Sequence, residues 1–345
     1  MLEHLKSFAD VDSYKQHIFS SGAVFPNVSY VGETDKVYYN PHRDIQAGEI
    51  IYLNGGKLYA TKLSNWNSSL GTAQGVVVVP ASHTTDDTVR IISLVLMNCN
   101  TPDVGGSAEQ GIYWGGHGDD LTGLTNYDLV PTTSNNDSTT IGTNSWSKLP
   151  SNSTNGAFTG ATCVTDTETK YNNPSEPMCP SPYLRDNTQN PAYIGNTNGK
   201  IATSDFDGHR NTDIICASAT GQSDWQTASV ITNNSSSGYY PAACCCRRYG
   251  TSGLPSGNWY LPSCGELGYI MPRFKQIQDS LQGIIDSGQV AVLLETDNNY
   301  WSSTEYSSND ACYVYTYGGN VDYDDKDIGY FVRAFASVPL SSLSF

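Results

Sequence analysis

The stretch NNYWSSTEYSSNDACYVYTYGGNVDYDDKDIGY, Asn298 to Tyr330, decides how this chain is read. Nearly half of it is Tyr, Asn or Asp, set between residues of scaffold type: Trp301, Val314, Val321 and Ile328. Side chains alternate across a strand, so ACYVYTY puts Tyr313, Tyr315 and Tyr317 on one face and Cys312, Val314 and Thr316 on the other. Such a row of tyrosines is either a binding platform or an inter-sheet core. The Asn, Asp and Ser residues that flank it favour the platform. Tyr offers a large rigid contact area with a terminal hydroxyl, and Asn and Ser add adaptable hydrogen bonds, which is paratope chemistry. The plainer reading is a set of β-hairpins, with Tyr in the strands and Asn, Asp and Gly in the turns. Asn, Tyr, Asp, Ser and Cys are also all reachable from an Asn codon by changing its adenines alone.

Working outward, YFVRAFASVPL after Tyr330 reads as a strand returning to the core. Upstream, WYLPSCGELGYIMPRFKQIQDSLQGII carries an S-x-x-E capping box at Ser263 and Glu266, a helix start that satisfies orphan N–H groups. Pro272 opens a second helical piece, whose stripe is Ile270, Phe274, Ile277, Leu281 and Ile285. Short helices are expected over Trp225–Ile231 and Ala242–Tyr249. Trp259 is expected in the core. DFDGHRN, from Asp205 to Asn211, is oxygen-rich and reads as a turn with Asx hydrogen bonds, with a calcium site as the lesser alternative. Arg333 is expected either to pair with Glu266 or Glu305 or to stand in solvent.

Towards the N-terminus, AGEIIYLNGGKLYATKL gives two strands about an Asn54-Gly55-Gly56 turn. GVVVVPASHTTDDTVRIISLVLMN gives two β-branched runs, and Val76–Val79 has the unbroken apolarity of a strand buried on both faces. PNVSYVGETDKVYYNP predicts a short hairpin. Residues 129–198 are Ser-, Thr- and Asn-rich with little periodicity. They read as a loop-rich insertion ordered by Trp146, Phe158 and Tyr193, or as disorder.

The 345 residues hold 34 Asp and Glu against 18 Lys and Arg, a net charge of −16. Such a surface repels phosphate backbones and anionic bilayers, so neither nucleic acid nor membrane insertion is expected. MLEHLKSFADVDSYKQHIF has no apolar core of a secretory signal, and synthesis in the cytoplasm is the expectation. Nine cysteines, an odd number including the adjacent Cys244, Cys245 and Cys246, show no C-x-x-C spacing. Buried free thiols acting as small hydrophobes are expected for most of them.

As a set, DFDG-x-x-NT (Asp205–Thr212), PAA (Pro241–Ala243), NWYLPSCGEL (Asn258–Leu267), YWSSTEY (Tyr300–Tyr306) and VRAF (Val332–Phe335) resemble the variable proteins of diversity-generating retroelements. The likeness is to the branch of gut anaerobes and their phages, and it spans roughly residues 47–340. It implies an α+β, C-type-lectin-like fold: a twisted antiparallel sheet with two main helices, close termini, and the long loop-rich insertion at about 131–198. Residues 1–46 would be an N-terminal attachment segment and 341–345 a tail. The variable region, about 298–330, would lie on the exposed sheet face, diversified by adenine-directed mutagenesis over a fixed scaffold. The expected ligand-binding residues are Asn298, Asn299, Tyr300, Tyr306, Ser308, Asn309, Asp310, Tyr313, Tyr315, Tyr317, Asn320, Asp322, Tyr323, Asp324, Asp325, Asp327 and Tyr330. Trp301, Ser302, Ser303, Thr304 and Glu305 would be scaffold. The resemblance implies a receptor-binding phage tail tip or a bacterial surface adhesin. Its partner would be an unknown protein or glycan receptor on a target cell, engaged by a homotrimer or from a tail fibre or surface anchor.

No catalytic residue, metal or cofactor is expected. Asp322–Gly329 looks like a calcium loop, but Lys326 and Asp327 occupy the fifth and sixth positions, where a ligand and a glycine are needed. The six histidines share no metal-ligand spacing. A formylglycine-generating-type oxidase of the same fold class is the enzyme alternative, with Cys264 and Cys312 as its copper-binding candidates. A structural virion protein is the third reading.

Overall fold

The computed structural model describes residues 7–8, 28–30, 37–39, 45–81, 84, 87–100, 111–126, 202, 205–270, 273–296, 298–316 and 320–344. The protein is α+β, with antiparallel sheets and few helices. The insertion expected at 131–198 lies outside the described residues, as does Tyr317.

Near the N-terminus, β1 (Ser7–Phe8), β2 (Val28–Tyr30) and β3 (Val37–Tyr39) form a three-stranded sheet in the order β1-β3-β2. The hairpin expected there is present, Val28 pairing with Tyr39 and Tyr30 with Val37.

The main sheet begins with β4 (Ile50–Asn54) and β5 (Lys57–Thr61). Asn54 pairs with Lys57 across Gly55 and Gly56, whose φ values of 55° and 77° are the left-handed pair that a two-residue hairpin turn requires. β6 (Thr72–Val79) and β7 (Thr88–Ile92) follow, and Val76–Val79 is buried on both faces as its apolarity predicts. β9 (Trp259–Tyr260) and β14 (Phe335–Pro339) complete a six-stranded sheet in the order β5-β4-β6-β7-β14-β9. The returning strand therefore begins at Phe335, not at Tyr330. The preceding residues join the core by other bonds: Met97 N–H to Val332 C=O at 2.9 Å and Ser93 N–H to Ala334 C=O at 2.8 Å. Leu343 bridges to Leu58, so the two sequence ends of this sheet meet.

Among the described residues the α-helices are α1 (Gly208–Ala217), α2 (Pro241–Arg248), α3 (Cys264–Gly268) and α4 (Phe274–Asp286). Pro241 at the first turn suits α2, because its missing N–H is an orphan there anyway. α3 starts on the expected capping box, with Ser263 N–H donating to Glu266 Oε2 at 3.0 Å. α4 packs on β6 and turns Phe274, Ile277, Leu281 and Ile284 inward. Ile284, not Ile285, completes the stripe. No helix forms over Trp225–Ile231. The Asp224 carbonyl takes the N–H groups of Thr227 and Ala228, Gln222 grips Val230 and Thr232, and Ile231 N–H is drawn to Cys99 C=O.

Asp205–Asn211 is a turn leading straight into a helix. Asp207 N–H donates to Asp205 Oδ1 at 3.0 Å, the expected Asx bond, and α1 begins at Gly208. A Cβ at Gly208 would lie 2.2 Å from Glu266 Oε2 and 2.6 Å from Ser263 N, so this glycine lets α1 settle on the start of α3.

A second sheet, β10 (Asn299–Glu305), β11 (Asp310–Tyr315) and β12 (Asn320–Asp325), carries most of the Tyr-, Asn- and Asp-rich stretch. Beside it β8 (Ile112–Tyr113) pairs with β13 (Gly329–Tyr330). No helix among the described residues is long and apolar enough to cross a membrane.

Candidate binding surface

β10 is the inner frame. Tyr300 to Glu305 are all buried although most are polar, and each hydroxyl or charge has a partner that makes this tolerable. Ser302 Oγ donates to Cys312 C=O at 2.7 Å. Trp301 Nε1 donates to Ile112 C=O at 3.0 Å. Thr304 Oγ1 donates to Asp205 Oδ2 at 2.7 Å and accepts from Cys264 N–H at 2.9 Å. Asp205 also receives Asn211 Nδ2 at 2.9 Å, so one carboxylate ties α1, the Asx turn and β10 together. Burial pushes its pKa up to about 6 against the opposing pull of these hydrogen bonds.

Glu305 ends the frame in a buried ion pair, 2.6 Å from Lys326 Nζ. Lys326 Nζ also donates to Asp119 C=O at 2.8 Å and Ser308 C=O at 3.0 Å, and lies 4.7 Å from the Trp114 ring centre. The ammonium thus fastens the 111–126 segment and the turn after β10 to one point. Burial pushes Glu305 up and Lys326 down, and their mutual attraction opposes both shifts.

On β11 the expected alternation holds: Cys312, Val314 and Thr316 are buried, while Tyr313 and Tyr315 are half-buried. Tyr313 stands opposite Trp301 on β10 and Asp322 on β12, and Tyr315 opposite Asn299 and Asn320. Residues paired across strands share a face. Tyr313 meets the Trp301 ring edge-on at 6.1 Å and the Tyr330 ring at 5.0 Å. The Tyr330 hydroxyl donates to the Asp324 carboxylate. Burial, reinforced by Asp322 and Asp324, pushes Tyr313 to about 12, so it presents a neutral hydroxyl. Asn298, Asn299 and Tyr330 meet with Gly111, Gly329 and Phe331 around a cleft of about 290 Å³.

Tyr306 and Tyr323 form a separate patch. Tyr323 pairs with Cys312 and so belongs to the sheet face opposite Tyr313. It is 39% exposed and stacks on Tyr306, ring centres 3.9 Å apart and planes at 3°. Asn309, Asp325 and Asp327 are exposed around the same hairpins, Ser308 partly so. Asp310 Oδ2 accepts from Ser307 Oγ at 2.6 Å, which fixes the turn into β11.

Two expectations are corrected. Tyr300 is 2% exposed, its hydroxyl accepting from Glu295 N–H at 3.0 Å and its ring 5.7 Å from that of Phe331. It is part of the frame, because its place in the alternation puts it on the Val314 side. Arg333 pairs with neither Glu266 nor Glu305. It is buried and donates to the carbonyls of Ser93, Leu94, Val292 and Leu293 at 2.6–3.2 Å. Glu266 instead takes Arg90 Nε at 3.4 Å and the Tyr260 hydroxyl at 2.8 Å. The side chain of Asn320 is outside the described residues.

Sequence reasoning missed Lys326 as a structural pin. The sole cation in the acidic run DYDDKD was its only signal. It also missed Asp205 as a hub. Cys264 and Cys312 are both fully buried, and burial pushes the Cys264 thiol well up. Among the described residues no group of three or more His, Cys, Asp or Glu side chains could hold a metal ion. Two larger clefts, about 830 and 550 Å³, are lined by no residue of β10, β11 or β12.

No protein-family model matches this sequence, and no curated protein does. Among solved structures, the chain is similar to a fimbrial protein from Bacteroides ovatus ATCC 8483, at 14% identity and a TM-score of 0.40. The alignment covers 84% of this chain and 48% of that one, so the chain spans about half the length of the structure it matches. Likeness at this level leaves the fold family open.

Proposed function

We propose that the chain is a non-enzymatic receptor- or ligand-binding protein of C-type-lectin-like fold. The proposal places its variable surface on β11, β12 and their flanking turns, diversified over a fixed frame, and displays it on a phage tail tip or a bacterial surface. The observation that carries this reading is the split within one sheet: every side chain from Tyr300 to Glu305 is buried and bonded, while Tyr313, Tyr315, Tyr323 and their acidic neighbours reach the surface. Two aromatic patches, Tyr313 with Tyr330 and Tyr306 with Tyr323, supply rigid anchors, and Asn and Asp supply adjustable polar contacts. Asp322, Asp324, Asp325 and Asp327 favour a ligand of positive potential. Residues 1–46 serve as the attachment segment, and display in several copies raises avidity.

Two measurements test this. Sibling genes, and a near-copy of the 3′ end beside a reverse transcriptase gene, are expected to differ at adenines in the codons for Tyr313, Tyr315, Asp322, Tyr323 and Asp324. The codons for Trp301–Glu305 are expected to be unchanged. Once a target cell is found by binding the purified chain to a panel of bacteria, the triple variant Tyr313→Ala/Tyr315→Ala/Tyr323→Ala is expected to bind it at least ~30-fold more weakly. Unaltered binding removes the surface assignment.

A further inference from the structure

Cys99 lies beyond β7 and Cys245 in α2, and their Sγ atoms are 3.2 Å apart in the core. A disulfide needs about 2.05 Å, so the sulfurs have to close by about 1.2 Å, within reach of small side-chain rotations. The approach does not depend on the thiols alone. Arg248, three residues along α2 from Cys245, donates through Nη2 to Cys99 C=O at 3.1 Å. Ile231 N–H donates to the same carbonyl at 2.8 Å. The Arg248 bond thus holds the peptide bearing Cys99 to the helix bearing Cys245 without using either sulfur, and the Ile231 bond fixes the same carbonyl from the neighbouring 225–231 segment. Neighbouring Cys216 is hydrogen-bonded to Cys244, while the sulfur of Cys245 meets that of Cys99.

We propose that Cys99 and Cys245 are a disulfide-forming pair that locks the helical layer to the segment leaving β7. The oxidant is a second disulfide, small-molecule or protein-borne. One thiolate of the pair attacks a sulfur of that disulfide, breaking its S–S bond, forming a mixed disulfide and expelling one thiolate. The other thiolate attacks the protein sulfur of the mixed disulfide and expels the second. Two electrons pass to the oxidant, and the two thiol protons end on its two thiolates or in solvent. Burial pushes the Cys245 thiol well up, so exchange takes place while the core is still open, and the finished bond is shielded from reductant. The crosslink joins positions 146 residues apart, a long loop whose closure removes much of the unfolded chain's freedom.

The test needs no ligand and is independent of the binding proposal. The full chain is refolded with oxidised glutathione, its free thiols are alkylated, and its peptides are mapped. A linked peptide joining Cys99 to the middle cysteine of the 244–246 run, placed there by fragment spectra, is expected. Unfolding and refolding in a strong reductant, which leaves the bond unmade, is expected to lower Tm by on the order of 5–10 °C. Cys99→Ala and Cys245→Ala should each lose the linked peptide and the reductant sensitivity, and Cys216→Ala should keep both. If the alanine variants do not fold, the map of the unmodified chain decides. Full alkylation of Cys99 and Cys245 after oxidative refolding, or a bridge between Cys216 and Cys244 instead, overturns the proposal.

Discussion

β10 and β12 flank the same strand, and both are polar in sequence: NYWSSTE on one side of β11 and NVDYDD on the other. Their fates are opposite. From Tyr300 onward β10 is sealed in the core with its hydroxyls bonded and Glu305 held through Oε1 by Lys326, whereas β12 is an edge strand carrying exposed Tyr323 and Asp325. Polar composition therefore does not say where a strand lies. The partner of each polar group does. A charged edge also discourages pairing with a stray strand from another chain, so the acidic character of β12 serves solubility whatever it binds.

That contrast can be broken most severely at Lys326. Lys326→Met leaves Glu305 buried without its cation and is expected to cost about 3–5 kcal/mol in urea unfolding. Adding Glu305→Leu to the same chain should recover much of the loss, because a buried pair is often replaceable as a unit. A double variant no more stable than the single would show that the two carbonyls held by Lys326 matter more than Glu305.

The next effect belongs to Asp205. Its pKa rises on folding from the ordinary carboxylate value to about 6, so between about pH 4 and pH 6 the folded chain binds more protons than the unfolded one. Stability is thus expected to fall as pH rises through that window, by at most about 3 kcal/mol, and then to level off. Asp205→Asn should flatten that part of the profile. It should also cost about 1–3 kcal/mol, since its amide sets a donor against those of Asn211 and Thr304. An unchanged slope in urea midpoints across that window would move the effect to another group, such as buried Glu266.

Smaller still is the aromatic difference between the two faces. Tyr313→Ala removes ring contacts with Trp301 and Tyr330 and is expected to destabilise by about 1–2 kcal/mol, whereas Tyr323→Ala, at the exposed edge, should cost about 1 kcal/mol or less. Both should weaken binding, so comparing thermal melts with binding curves separates frame from surface. Smallest is the charge pair Asp325→Asn/Asp327→Asn. Stability should be unchanged, while the salt dependence of ligand binding should shrink.

Much of this architecture was legible locally. The Gly55-Gly56 turn, the Ser263–Glu266 capping box, the apolar run Val76–Val79 and the alternation in ACYVYTY each depend on neighbours in sequence, and each appears as the pattern implies. What stayed hidden depends on distant partners. The Ser-Ser-Thr of β10 was expected as scaffold through the resemblance, but its partners Cys312, Cys264 and Asp205 were not legible. Tyr300 looks like its fellow tyrosines until Phe331 and Glu295 cover it. Arg333 gave no sign that four main-chain carbonyls, not a carboxylate, would receive it. Trp225–Ile231 has a helix-like pattern that capture of Ile231 by Cys99 overrides. The second aromatic patch was not legible, because composition cannot say that Tyr323 belongs to the face opposite Tyr313.

The placement of β14 between β7 and β9 has a consequence for any truncated form of the chain. The stretch carrying Tyr313 and Asp322 is translated before β14, and β14 fills a slot inside the main sheet rather than at its rim. A premature stop or frameshift anywhere in that stretch removes the strand and strips Val89, Ile91 and Ile92 of their cover. Such a product cannot close its core and becomes prey to proteases. Under the diversification proposed above, altered side chains would leave β14 in its slot, whereas garbled reading frames would lose it.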